Sequence, residues 1–256
     1  MDGLLLTLLL GLFIVVGAFI VFLTKNNTKF IDFSIALAAG VIFMLLWIDI
    51  LPEAYEGIEA SNGWWKALYI LAGTLIGFSL LKGLDHFIPD HEDDLTTDSD
   101  DRANLKHIGL MSSVALVLHN IVEGMAIYTL TVSDFTAGIM ASLGVGLHNI
   151  PLGMVIASTF YQTTKDKKKT WWLITLISLS TFLGGLIVYL FHFMEIMNVI
   201  KAISLTLTLG MLLYIFTMEL LPKMIRSKNK KITISGCLLG VVLVLLTLLM
   251  HGHHHG

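Results

Sequence analysis

His119-Asn120-Ile121-Val122-Glu123-Gly124-Met125 stands in the middle of a long apolar run, and the phrase returns in the next run as His148-Asn149-Ile150-Pro151-Leu152-Gly153-Met154. Each run is long enough to cross a bilayer. The chain therefore places ionisable side chains at the depth of hydrocarbon. Such groups are costly without a partner and mark function by default. Two of them at matching depth point to one shared site. Histidine with a carboxylate is the ligand chemistry of a divalent metal.

The composition agrees with a membrane setting. Hydrophobic residues make up 55% of the 256 and charged residues only 14%, against about 25% charged in a soluble domain. The chain reads as an all-α integral membrane protein, one domain over residues 1–256. The net charge of −3 says little about partners, because the charges are confined to loops. A basic run interleaved with aromatics, the footprint of a nucleic-acid binder, is missing. Cys237 is the lone cysteine and cannot form an internal disulfide. The first apolar run, Leu4 to Leu23, has spanning length and is preceded by Asp2 rather than a basic stretch, so it is expected to stay as a span and not act as a cleavable signal.

Eight spans are expected, at roughly 4–24, 31–52, 64–84, 107–130, 135–161, 171–193, 200–222 and 232–250. With the N-terminus outside, every Lys and Arg except Lys66 and Lys201 falls on the inner side. That partition follows the positive-inside rule. It supports the span count and puts both termini outside a cell membrane.

A second repeat lies at span ends. Asp49-Ile50-Leu51-Pro52 closes span 2 and Glu219-Leu220-Leu221-Pro222 closes span 7, at opposite faces of the membrane. Inverted-topology repeats give this pattern, with spans 1–3 related to spans 6–8 around a central pair, a 3+2+3 arrangement. Chance similarity is the plainer alternative for either match alone.

Residues i and i+4 of a helix share a face, so His119 and Glu123 project together from span 4 with Asn120 beside them. Span 5 brings His148 and Asn149. Pro151 lacks an N–H and would free the Leu147 carbonyl, while Gly124 and Gly153 are expected to let spans 4 and 5 approach closely. Two imidazoles, a carboxylate and two amides suit Zn²⁺, with Fe²⁺, Mn²⁺, Co²⁺ or Cd²⁺ as other candidates; Mg²⁺ and Ca²⁺ prefer all-oxygen sites. The bland alternative is a structural hydrogen-bond network.

These motifs resemble the fourth- and fifth-span signatures of the ZIP family of zinc and iron permeases, and Asp49-Ile-Leu-Pro-Glu53-Ala54 fits the same resemblance, which covers essentially the whole chain. The resemblance implies an eight-span fold and inward movement of divalent metal. It also implies that the span-4 His and Glu and the first span-5 residue bind metal. Two positions depart from the pattern. Many members have Glu where Leu152 stands, and many have a span-6 Glu that falls near Thr181 in this register. With both carboxylates absent, one site of His119, Glu123 and His148 is expected, with Asn120 and Asn149 as weaker auxiliaries.

Acidic groups flank the proposed route. Glu53, Glu56 and Glu59 at the outer end of span 2, and His192 and Glu195 at that of span 6, would concentrate cations or simply be solvated termini. Asp49 and Glu219 are candidates for the mouths, with Met218 beside Glu219. The polar stretch 85–107 is expected as a cytoplasmic acidic loop with His86, His91 and His107, either a metal receiver or a charged linker. The tail at 251–256 carries His251, His253, His254 and His255, a metal-capturing stretch or a remnant of added sequence. Trp64, Trp65, Trp171 and Trp172 fit an interfacial belt.

The leading function is import of a divalent transition metal, with spans 1–3 and 6–8 moving against spans 4–5 to alternate access. No catalytic cofactor is expected; the metal is cargo. The phosphate-binding GxxxxGK[ST] loop is absent. An intramembrane zinc hydrolase is the alternative, although HExxH is absent. A metal sensor without transport is a third reading. A homodimer in the bilayer is compatible with the sequence, which identifies no interface.

Overall fold

In the computed structural model the described backbone comprises residues 2–24, 28–58, 62–87, 97–191 and 194–251, and the described side chains are those within these ranges outside 84–108, 192–201 and 248–251. Among them, eight helices are long and apolar enough to cross a membrane. They are α1 (Asp2–Leu23), α2 (Thr28–Gly57), α3 (Gly63–Phe87), α4 (Thr97–Ser133), α5 (Phe135–Thr164), α6 (Lys167–Phe191), α7 (Met194–Tyr214 continued by Ile215–Leu220 and Leu221–Arg226) and α8 (Lys230–His251). Large apolar side chains such as Leu5, Leu9, Leu71, Leu75, Leu238 and Leu246 are exposed on α1, α3 and α8. Water would not tolerate such broad apolar faces, whereas lipid does.

Three helices run further than the sequence reading placed them. The polar stretch before span 4 is helical from Thr97 onward, so α4 starts ten residues before the expected span. Pro52 and Pro222 do not end their helices. Each follows a π-helical turn, Leu45–Ile50 in α2 and Ile215–Leu220 in α7. The Leu51 N–H bonds Leu46 O and the Leu221 N–H bonds Phe216 O, five residues back in each case. Proline lacks a donor and crowds the preceding turn. Widening that turn lets the helix continue, and such widened turns gather at functional sites. Asp49 and Glu219 are the fifth residues of the two turns, inside their helices rather than at the ends.

The turns between α4, α5 and α6 are short and capped. Asp134 caps α5 by accepting the Ala137 N–H at 3.0 Å. Lys165 ends it in the left-handed conformation, φ 53°. Asp166 then caps α6, its Oδ1 accepting from the Lys168 and Lys169 backbones. Three antiparallel helices follow, with α5 unbroken through Pro151.

Glycine seams set the packing. A Cβ at Gly124 would lie 1.9 Å from the Thr181 carbonyl oxygen, and one at Gly184 2.0 Å from that of Ile121, so α4 and α6 touch backbone to backbone. Gly153 meets Ile14 and Gly17 meets Ile150, which joins α5 to α1 in the same way. Gly124 and Gly153 therefore do not face each other, as the sequence suggested; each faces an outer neighbour. Gly40 and Gly240 join α2 to α8, through Cys237 and Leu37. Gly77 and Gly210 join α3 to α7, through Leu207 and Thr74. Small residues allow this close approach, which replaces the hydrophobic drive that lipid does not supply.

These seams are related in pairs by the inverted repeat. One constant offset carries Leu37, Gly40, the α2 π turn and Pro52 onto Leu207, Gly210, the α7 π turn and Pro222. Another carries His119, Asn120, Ile121 and Gly124 onto His148, Asn149, Ile150 and Gly153. The 3+2+3 order of the chain is thus matched by packing in which the units interleave. Seams bind α1, α4, α5 and α6 into one group, with α1 and α6 also in contact at Gly11 and Ser178. They bind α2 to α8 and α3 to α7 outside it.

Candidate metal centre

Glu123 lies at the focus of the central helices. His119, one turn earlier on α4, puts its Nε2 2.8 Å from Glu123 Oε1. His148 of α5 puts its Nε2 2.9 Å from the same oxygen, a hydrogen bond when that nitrogen carries the proton. Asn149 donates through Nδ2 to Glu123 Oε2 at 3.0 Å. The two imidazole rings stand 6.2 Å apart, centre to centre. All these side chains are buried; Glu123 is 9% exposed, each histidine 3%, and Asn149 is fully enclosed.

The donor set fits a divalent cation. Ligand atoms of His119, Glu123 and His148 lie within 4.8 Å of one another. Tetrahedral bonds to nitrogen and oxygen of about 2.0–2.2 Å place neighbouring ligand atoms about 3.3–3.6 Å apart, so small side-chain adjustments suffice. His119 Nε2 lacks hydrogen-bond alignment despite its closeness to Glu123, and it has no other partner. The Oδ1 atoms of Asn120 and Asn149 are also buried without a donor. Orphaned buried polar atoms are costly and uncommon in folded proteins, and here two of them belong to residues that contact Glu123, namely His119 and Asn149.

Asn120 is placed differently from its twofold counterpart. Its Nδ2 donates 3.2 Å to the Ile177 carbonyl of α6, so this amide ties the α4–α6 seam while Asn149 holds the carboxylate. Leu152 occupies the position equivalent to Glu123 and is buried at 3% exposure, within the main apolar core. Thr181 stands where a second carboxylate was considered. It is fully buried, its carbonyl against Gly124 and its hydroxyl unpartnered.

The flanking acids take distinct places. Asp49, half-buried in the α2 π turn, lies close enough to His148, Glu123 and His119 to interact with them electrostatically, and with Glu53 as well. Sequence reading put Asp49 at a mouth; its coupling to the centre was not foreseen. The hint lay in Pro52, whose effect on the preceding turn moves Asp49 within the helix. Glu53 and Glu219 are half-buried, and Met218 is 53% exposed at the protein surface. Glu59, His91, His192 and the tail histidines His253, His254 and His255 lie outside the described residues, as do the side chains of His86, His107, Glu195 and His251. Trp64, Trp65 and Trp172 are exposed near helix starts, whereas Trp171 packs on Phe22.

Comparison with known proteins agrees with this arrangement. The family model described as ZIP Zinc transporter matches residues 89–248. The zinc transporter ZupT of Oceanobacillus iheyensis is 34% identical, with 96% of each chain covered. Its namesakes in Streptococcus mutans and Chlorobium phaeovibrioides are each 32% identical, with 96% and 97% of each chain covered respectively. With eight apolar helices, a buried His/Glu/His cluster and relatives matched end to end, the chain belongs to the ZIP family.

Proposed function

We propose that the protein carries divalent transition metal, with Zn²⁺ as its main cargo, across the cell membrane into the cytoplasm. The observation that carries this reading is the convergence of His119, Glu123 and His148 at the core of a membrane-spanning helix bundle. A single carboxylate balances only part of a divalent charge, so the site is read as binding one ion at a time. Asn149 holds Glu123 in place, while Asn120 ties α4 to α6. Fe²⁺, Mn²⁺, Co²⁺ and Cd²⁺ present similar ligand preferences and are expected as competitors. The relatives are named as zinc transporters, which favours carriage over hydrolysis.

The positive-inside partition supports both termini outside. Metal would then enter past Glu53 and Asp49 and leave past Glu219. The ligands belong to α4 and α5, which the seams bind to α1 and α6. Asp49 and Glu219 belong to α2 and α7, outside that group. Movement of the α1/α4/α5/α6 group against the other four helices would therefore present one site to each side in turn. This division follows the seams and replaces the 1–3 and 6–8 against 4–5 scheme.

Radioactive zinc uptake into liposomes bearing purified protein tests the reading, beside a His119→Ala/Glu123→Ala variant. Uptake is expected for the wild type alone. A folded wild type that binds zinc through these residues yet passes none would leave a sensor instead of a carrier.

A further inference from the structure

Most buried hydroxyls here satisfy themselves on their own helix, as membrane-embedded Ser and Thr commonly do. Ser113 donates to Gly109 O, Thr131 to Ile127 O, Ser142 to Gly138 O and Thr159 to Val155 O. Ser112 does not. It is 6% exposed, and its Oγ has no hydrogen-bond partner.

Its position gives the exception meaning. At about 100° per residue, Ser112 shares one stripe of α4 with His119 and Glu123, within about 20° of each. It lies about 10 Å from His119 along the axis, two turns toward the N-terminal end of the helix. Leu116, 2% exposed, lies between them near the same stripe. The α7 π turn that carries Glu219 packs against α4. Thr181 and Thr208 also have unpartnered, deeply buried hydroxyls, but they sit on α6 and α7 rather than on the helix that carries His119 and Glu123.

We propose that Ser112 is a second stop for the metal, a neutral oxygen ligand that receives the ion after His119, Glu123 and His148 release it. The inference rests on the transport reading above. Leu116 is the apolar barrier between the two stops, and it must turn aside for the ion to pass. A hydroxyl replaces one water of the ion's shell yet holds it weakly, which suits a step that must also let go. A carboxylate at that depth would bind too firmly for rapid exit, and an alanine would offer nothing.

The lone cysteine makes the test direct. In a Cys237→Ala background, Ser112→Cys supplies a single thiol to probe with a small methanethiosulfonate reagent in liposomes. Cd²⁺ is the probe metal, because thiolate is a strong ligand for it. The expected result is modification that Cd²⁺ slows by about fivefold or more. Ser112→Ala is expected to lower the zinc uptake rate by about 3- to 10-fold while the affinity of the His119/Glu123/His148 site is kept, a loss confined to the passage step, and Ser112→Thr should restore the rate. An introduced thiol that the reagent never reaches in transporting protein, or that Cd²⁺ leaves unprotected, overturns the second stop while transport stands. Should Ser112→Cys fail to fold, Ser112→Ala decides: uptake equal to wild type overturns the proposal. Cd²⁺ protection in a protein that passes no zinc would instead remove the transport reading and leave Ser112 as a binding residue.

Discussion

Helices α4 and α5 are the same phrase in opposite directions, and they differ where charge is concerned. His119 matches His148, Asn120 matches Asn149, Gly124 matches Gly153, and the neighbouring seams match as well. Glu123, however, matches Leu152. The backbone scaffold is therefore symmetric while the set of candidate ligands is not. Both histidines approach the same carboxylate oxygen, so one helix brings the carboxylate and the other brings an imidazole and an amide to it. On the transport reading proposed above, symmetry of this kind would let one site be exposed to either side. The asymmetry limits how much positive charge the site can neutralise.

Removing the charge should have the largest effect. Glu123→Ala is expected to abolish uptake and weaken zinc binding at least about 100-fold, beyond the 10- to 100-fold typical of residues that only orient ligands. Calorimetric titration of the purified protein measures it; near-normal affinity would place the metal elsewhere. Restoring the symmetry is the next test. Leu152→Glu buries an unpaired carboxylate and should cost about 2.5–3.5 kcal/mol without metal. Zinc should recover much of that loss in a thermal unfolding experiment. Failure to recover it would mean that the Leu152 position does not reach the ion.

The seams allow a sharper comparison. Gly124→Ala puts a methyl 1.9 Å from the Thr181 carbonyl oxygen and must part α4 from α6. Overpacking of this kind costs about 1–3 kcal/mol. Gly83→Ala, on α3, meets nothing within 4 Å and should be neutral or stabilising by up to about 1 kcal/mol. Similar melting temperatures for the two variants would contradict the backbone contact. The smallest effect is expected from the two amides. Asn149→Ala loses one charge-assisted hydrogen bond to Glu123 and should lower zinc affinity about tenfold. Asn120→Ala loses its bond to Ile177 O and should lower stability by about 1 kcal/mol with little change in affinity. Reversal of that pattern would exchange their roles.

Much of this was legible before any coordinates. Helical spacing alone put His119 and Glu123 on one face, and apolar runs gave the eight spans. The match of Asp49-Ile-Leu-Pro with Glu219-Leu-Leu-Pro disclosed the inverted repeat. The sequence hid what depends on partners far along the chain. Gly124 and Gly153 have the small size that close packing needs, but size does not name the neighbour, and both turned out to face outer helices. Pro52 and Pro222 read as terminators because proline usually stops a helix. A π turn before each lets the helix pass, and no local residue pattern fixes that outcome. Asn120 and Asn149 each stand between His and Ile, yet only Asn149 meets Glu123.

The seams also bear on how the molecule is made. α1 is joined to α5, α2 to α8, α3 to α7 and α4 to α6, so each seam links the first four helices to the last four. A ribosome feeding this chain into a membrane delivers the first half with its glycine grooves still open. Those grooves close only after the second half has been inserted, so assembly waits on completion of synthesis, as expected where contacts are distant in sequence. A nascent chain stalled after α4 would hold none of the seams, and membrane quality control would meet it as four loosely held helices rather than half of a folded protein.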